Sequence, residues 1–123
     1  MKLIINKKTI NINLLNTETS NKISNLKDFR SKINTWGDEI YFKIPLNDVK
    51  LEENSIDVVK FGQIAYWTEG NSIAIGFGPT PASINDEIRL VSKVNIWAYF
   101  DTSLNSVDFF KSIKNNDIVS FLN

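Results

Sequence analysis

Trp36, Glu39, Tyr41, Tyr66 and Trp67 are the residues whose types could build a recognition site: four aromatic rings with a polar handle, and one carboxylate. Such rings carry a large apolar area while an N–H or O–H still reaches a partner, so they suit a ligand cleft as well as a core. Phe77-Gly78-Pro79-Thr80-Pro81 adds a different element. Its prolines fix φ and remove two N–H donors, and its glycine permits angles that other residues resist. The result is a stiff loop that can present the Thr80 hydroxyl and carbonyl at small entropic cost. The plainer reading has the loop only turning the chain at a strand end, and the sequence leaves the two readings open.

Asp38 and Glu39 are adjacent, so on a strand their carboxylates point to opposite faces and form no close acid–base pair. Glu39 shares a side with Tyr41 and Lys43, whereas Asp38 shares one with Ile40, Phe42 and Ile44. A functional Glu39 would orient a ligand amine or amide. The reading favoured by its type is a solvated or locally hydrogen-bonded carboxylate, because carboxylates are rarely buried without a partner. The chain has no histidine and no cysteine, which removes the usual ligands of zinc, iron–sulfur and haem sites and any Ser-His or Cys-His nucleophile pair. The candidate ligand-binding set is therefore Trp36, Glu39, Tyr41, Tyr66, Trp67, Phe77, Gly78, Pro79 and Thr80, with no catalytic residue, metal site or cofactor expected.

The elements that position these residues belong to one expected domain of 123 residues, long enough to bury roughly two-thirds of the surface of its unfolded chain. The formal net charge of +0 gives no long-range attraction to nucleic acid or an anionic membrane. No apolar run reaches the length of a membrane span, and Met-Lys-Leu-Ile-Ile before Asn6 is too short for a signal peptide. With no cysteine, the chain suits a reducing compartment, and a cytoplasmic location is expected.

Lys2 to Ile5 and Thr9 to Leu14 read as an opening hairpin, with Ile10, Ile12 and Leu14 in strict alternation. Asn16-Thr17 offers helix caps. From Ile23 to Ile33 the pattern fits either one helix or a helix followed by a strand. Gly37 to Pro45 reads as a strand, and Gln63 to Trp67 with Ser72 to Phe77 as a hairpin around Thr68-Glu69-Gly70-Asn71. On the second hairpin strand Ser72, Ala74 and Gly76 form a face of small groups with room for something large. Leu46 to Lys60 and Ala82 to Lys93 are polar and read as surface excursions. Val94 to Phe100 is a strand with Asn95, Trp97 and Tyr99 on one face. Leu104, Val107, Phe110 and Ile113 form a helical stripe capped from Asp101 to Ser103, and Ile118 to Leu122 is a closing strand. About eight strands and two helices with regular turns point to a closed antiparallel barrel.

Four segments then carry a resemblance: Asn34-Thr35-Trp36-Gly37-Asp38-Glu39-Ile40-Tyr41-Phe42, Gly62-Gln63-Ile64-Ala65-Tyr66-Trp67, Phe77-Gly78-Pro79-Thr80-Pro81 and Val94-Asn95. In order and spacing over nearly the whole chain, this pattern resembles the small prokaryotic cyclophilin-like proteins, first grouped as a domain of unknown function. The resemblance implies a mainly β fold, a closed eight-stranded antiparallel cyclophilin-like β-barrel with two capping α-helices. It also implies a helix near Thr17 to Leu26 and a strand near Phe29 to Thr35. The chain departs from the family at Gln63, where Asp is usual, and at Ala98, where glycine is common.

Cyclophilins proper are peptidyl-prolyl isomerases that use an arginine within a Phe-His-Arg stretch, and nothing in this chain matches that stretch. Its arginines are Arg30 and Arg89. The first functional expectation is a binding module holding a small molecule or an extended peptide in a surface groove, without strong catalysis. The alternative is a peptidyl-prolyl cis-trans isomerase, resting on the family likeness. A third is a structural role, a barrel domain related to those found within larger amide-hydrolysing enzymes, standing alone or docking on a partner. The partners expected are a small molecule or peptide, a second copy of the chain, or a larger amide-hydrolase-type subunit.

Overall fold

The computed structural model describes residues 1–123. Strands β1 (Lys2–Ile5) and β2 (Lys8–Asn11) form the opening hairpin. Asn6 and Lys7 between them take φ of 49° and 67°, the left-handed pair that suits a two-residue hairpin turn. After β3 (Asn13–Leu14) comes helix α1 (Glu18–Ser24), whose N-cap Thr17 accepts from Ser20 N at 3.0 Å. Next are β4 (Phe29–Lys32), β5 (Asn34–Thr35), β6 (Glu39–Lys43) and β7 (Ile56–Val59). They are followed by β8 (Gln63–Trp67), β9 (Ser72–Gly76) and the long β10 (Ile88–Tyr99). Helix α2 (Val107–Lys111) and β11 (Ile118–Leu122) complete the chain.

These strands do not close into an eight-stranded barrel. They form two open sheets, one of four strands in the order β2-β1-β11-β4, the other of seven in the order β3-β10-β8-β9-β6-β5 with β7 also paired to β10. The reason lies at two corners, Ile12 and Ile33, where the chain leaves one sheet for the other. Both isoleucines turn into the shared core, with exposures of 8% and 0%, and their backbones leave the ladders. Ile12 N donates to Met1 O at 3.1 Å; Ile33 N donates to Asp117 O at 2.8 Å, and Ile33 O accepts from Asn116 N at 2.7 Å. Each expected strand that crosses a corner is thus two strands, and the hydrogen-bonded path stops there.

The expected surface excursions also contain sheet. Ile56–Val59 is β7, and Ile88 to Lys93 is the first half of β10, the two pairing Val59 with Ile88 and Val58 with Arg89. Their polar residues serve one another: Arg89 Nη1 lies 2.9 Å from Asp57 Oδ2 and its Nε 2.7 Å from Glu87 Oε1. The second helix is shorter than its stripe suggested. Ser106 is the N-cap, accepting from Phe109 N at 3.1 Å, while Asp101 accepts from Ser103 within its own turn and Leu104 stays exposed.

The seven-stranded sheet is apolar on both faces. One face sends Ile40, Phe42, Ile64, Tyr66, Ile73 and Ile75 into the main core opposite Leu3, Ile5, Ile10, Val119 and Phe121 of the smaller sheet. The other face carries Ala65 and Ala74, packed with Val59, Leu90 and Val94 of the β7–β10 arm. A register shift between Ile96 and Ala98 makes Trp97 a bulge residue. Alternation would set Trp97 apart from Ala98 and Phe100, yet all three lie in the main core, and the Trp97 indole N–H has no partner there.

Asn95, buried on β10, ties the polar segment after β6 to the body. Its amide donates to Thr19 Oγ1 at 3.1 Å and to Lys50 O at 2.9 Å, and its Oδ1 accepts from Glu52 N at 2.8 Å. Glu52 in turn accepts from the Thr19 backbone N–H at 3.1 Å and from its hydroxyl. Asn95→Ala would leave the part-buried Glu52 N–H and Lys50 C=O without their side-chain partner, for a loss of about 1–2 kcal/mol. Urea denaturation should show that loss, and hydrogen exchange should show faster exchange at Glu52.

Candidate functional site

The hairpin from β5 to β6 turns over Gly37 and Asp38, and its ends are held by a reciprocal pair. Trp36 N donates to Glu39 O at 2.9 Å, and Glu39 N donates to Trp36 O at 3.2 Å. Gly37 has φ +56°, and a Cβ there would lie 2.8 Å from Pro81 Cδ and 2.9 Å from Thr80 Cα. Only glycine meets both demands without strain. The loop after β9 grips this turn, because Asp38 N donates to Pro79 O at 3.0 Å and Phe77 N donates to Asp38 O at 2.8 Å.

The loop residues of the candidate set therefore brace the turn and do not line an opening. Phe77 is buried in the main core, stacked on Phe110 at 5.7 Å between centroids. Gly78 lies against the Asp38 carboxylate, where a side chain would collide. Pro79 supplies the carbonyl that Asp38 uses. Thr80 is buried; its hydroxyl donates to Arg89 O and its N–H donates to Ser83 Oγ at 2.9 Å, pinning the loop to β10. Tyr66 also lies away from the opening. It is fully buried on the main-core face, and its hydroxyl is 3.2 Å from both Leu46 O and Asn71 Oδ1.

Trp36, Glu39, Tyr41 and Trp67 do converge. They line a cleft of about 210 Å³ together with Ala74, Leu90, Val91 and Val94. Register explains the grouping. Glu39 pairs with Gly76, Tyr41 with Ala74, and Ala74 with Ala65, so alternate residues of β6 and β9 look toward the same side. The small groups on β9 are used in two ways: Ala74 lines the cleft, and Gly76 receives Ile88 from the β10 arm. Trp67 meets Tyr41 edge-on at 5.9 Å and 86°, and its indole N–H donates to Ser92 Oγ at 3.1 Å, so the ring is fixed from two directions. Leu90, Val91 and Val94, absent from the candidate set, come from the β10 arm. The apolar spacing in Ile88, Leu90 and Val91 was the available signal, masked by the polar residues around it.

The Glu39 side chain accepts no hydrogen bond from the chain and faces the cleft. It is 6% exposed, and burial alone pushes its carboxyl up to about 7, with no hydrogen bond offsetting it. It is the one charged side chain in the cleft lining. Near neutral pH such a group is divided between an acid that can donate to a carbonyl and a carboxylate that can pair with a cation. The arginines lie elsewhere: Arg30 is exposed on β4, and Arg89 is held by Asp57 and Glu87.

Comparison with known proteins matches residues 1–121 to the cyclophilin-like family model. The fold is also similar to the solution structure of a hypothetical protein from Archaeoglobus fulgidus, with a TM-score of 0.79 and 32% identity over 97% of this chain and 89% of that one. No curated protein matches the chain. No helix is long and apolar enough to cross a membrane.

The buried carboxyl has a thermodynamic signature. Folding raises its pKa from 4.5 to about 7, so the folded state holds a proton that the unfolded chain has released. Stability is then greatest below the unfolded value and falls as pH rises toward 7, by up to about 3 kcal/mol. Glu39→Gln should abolish that loss, leaving the variant as stable as the parent near pH 4 and more stable at pH 8. Denaturant midpoints across this range check the sign.

Proposed function

Because the chain belongs to the cyclophilin-like family, whose fold alone assigns no chemistry, we propose from the cleft that it is a binding module for a small ligand. The observation that carries this reading is the buried, unpaired Glu39 carboxyl facing an otherwise apolar opening walled by Trp36, Tyr41 and Trp67. An apolar cavity of about 150 Å³ accepts benzene, and drug-sized pockets begin near 300 Å³. A cleft of about 210 Å³ therefore suits one ring or short alkyl body with a single polar head. That occupant is a small molecule, or one side chain of an extended peptide. Aromatic walls supply area, and the carboxyl supplies orientation.

Peptidyl-prolyl isomerisation by the cyclophilin route needs an arginine beside the twisted amide, and no arginine lines this cleft. A protease-coupled assay should give rates equal to the uncatalysed background. The absence of cysteine fits a cytoplasmic setting for such a module.

Titration of ¹⁵N-labelled protein with a fragment library of neutral, cationic and anionic compounds tests the binding reading. Shifts should collect at the indole signals of Trp36 and Trp67 and at the amides of Val91 and Val94. A library that moves none of these signals would sink it.

A further inference from the structure

Resting on the cleft reading, we propose that the occupant is a protonated amine with a compact apolar body, its ammonium group paired with Glu39 and its hydrocarbon lodged among Ala74, Leu90 and Val94. Three features of the cleft point to this class. Its only charged lining group is an anion, and that group is 6% exposed with no donor from the chain. A ligand cation would supply the partner that the fold withholds, whereas an anionic ligand would meet a like charge in an apolar setting. Finally, Trp36, Tyr41 and Trp67 line the same space, and aromatic rings attract ammonium groups most strongly when both are desolvated.

No cation of the chain competes for the position. Arg89 on β10 is paired with Asp57 and Glu87. Lys43, two residues beyond Tyr41 on β6, is exposed, as is Lys93 on β10. Asp38, in the turn before β6, lies against Gly78. On β5, β8 and β9 the residues flanking Glu39 and Tyr41 are uncharged, and Tyr41 is the other titratable group in the lining.

Binding of an ammonium ion requires the ionised carboxylate, so affinity should rise with pH through the range where Glu39 titrates. With its carboxyl pushed up to about 7, the ionised fraction grows about tenfold between pH 6 and pH 8. A ligand that accepts a hydrogen bond from the acid form would show the reverse trend.

The test uses benzylamine, benzyl alcohol, benzamide and benzoate, which share a ring and differ in head group, followed at the Trp36 and Trp67 indole signals at about pH 6 and about pH 8. Benzylamine should bind best, gain about tenfold over that interval, and lose at least about tenfold in Glu39→Gln, a larger loss than benzyl alcohol suffers in the same variant. If benzamide or benzyl alcohol binds more tightly than benzylamine, or if benzylamine is indifferent to pH in the unmodified protein, the amine assignment falls and the cleft reading stands. If none of the four moves the indole signals, both fall. The pH series on the unmodified protein decides the matter even where the variant folds poorly.

Discussion

The grip of the loop after β9 on the turn between β5 and β6 is the constraint from which the site follows. Two backbone hydrogen bonds, Asp38 N to Pro79 O and Phe77 N to Asp38 O, join segments about forty residues apart in sequence. They work only because Gly37 takes a left-handed φ and leaves no Cβ in the path of Thr80 and Pro81. Phe77 anchors one end of the loop in the main core, and Thr80 ties the other to the backbone of β10. Glu39 is the first residue of β6 after this turn. Its position is therefore set by main-chain bonds, and no polar side chain is spent on it.

A second constraint comes from a sheet that is apolar on both faces. The face toward the four-stranded sheet is filled by large side chains, but Ala65 and Ala74 make the other face shallow. The β7–β10 arm covers that shallow face, pinned by Arg89 to Asp57 and by Ile88 seated over Gly76. Cover is incomplete where Ala74 meets Leu90, Val91 and Val94, and the cleft is the space left over. A carboxylate at such a place is costly to ionise, which makes Glu39 a poor contributor to stability. Strain held at a site and offset elsewhere in the fold is a common mark of function.

Much of this was legible in the sequence, and the failures have physical causes. The turn Thr68-Glu69-Gly70-Asn71, the cap at Thr17 and the shared side of Glu39 and Tyr41 were local patterns, and local patterns survive folding. The corners were not legible, because Ile12 and Ile33 look like ordinary members of alternating strands until the partner sheet is known. The β7–β10 arm was hidden by Asp57, Glu87 and Arg89, whose charges read as solvated loop, although Arg89 pairs with Asp57 across the strands and with Glu87 beside it. Tyr66 and Trp67 are neighbours of similar type, and only register decides that one fills the core and the other walls the cleft.

The three tryptophans divide the molecule in a way that bears on how it can be watched. Trp97 is wholly buried, and its indole N–H finds no polar partner in the chain. Trp36 and Trp67 are half-buried in the cleft lining, the latter with its N–H on Ser92. Indole emission follows the polarity and mobility of its surroundings. The core ring is thus shielded from solvent and reports on the fold, while the two cleft rings stand where an occupant would alter their surroundings. One optical spectrum carries separate channels for integrity and for occupancy, without any label being attached.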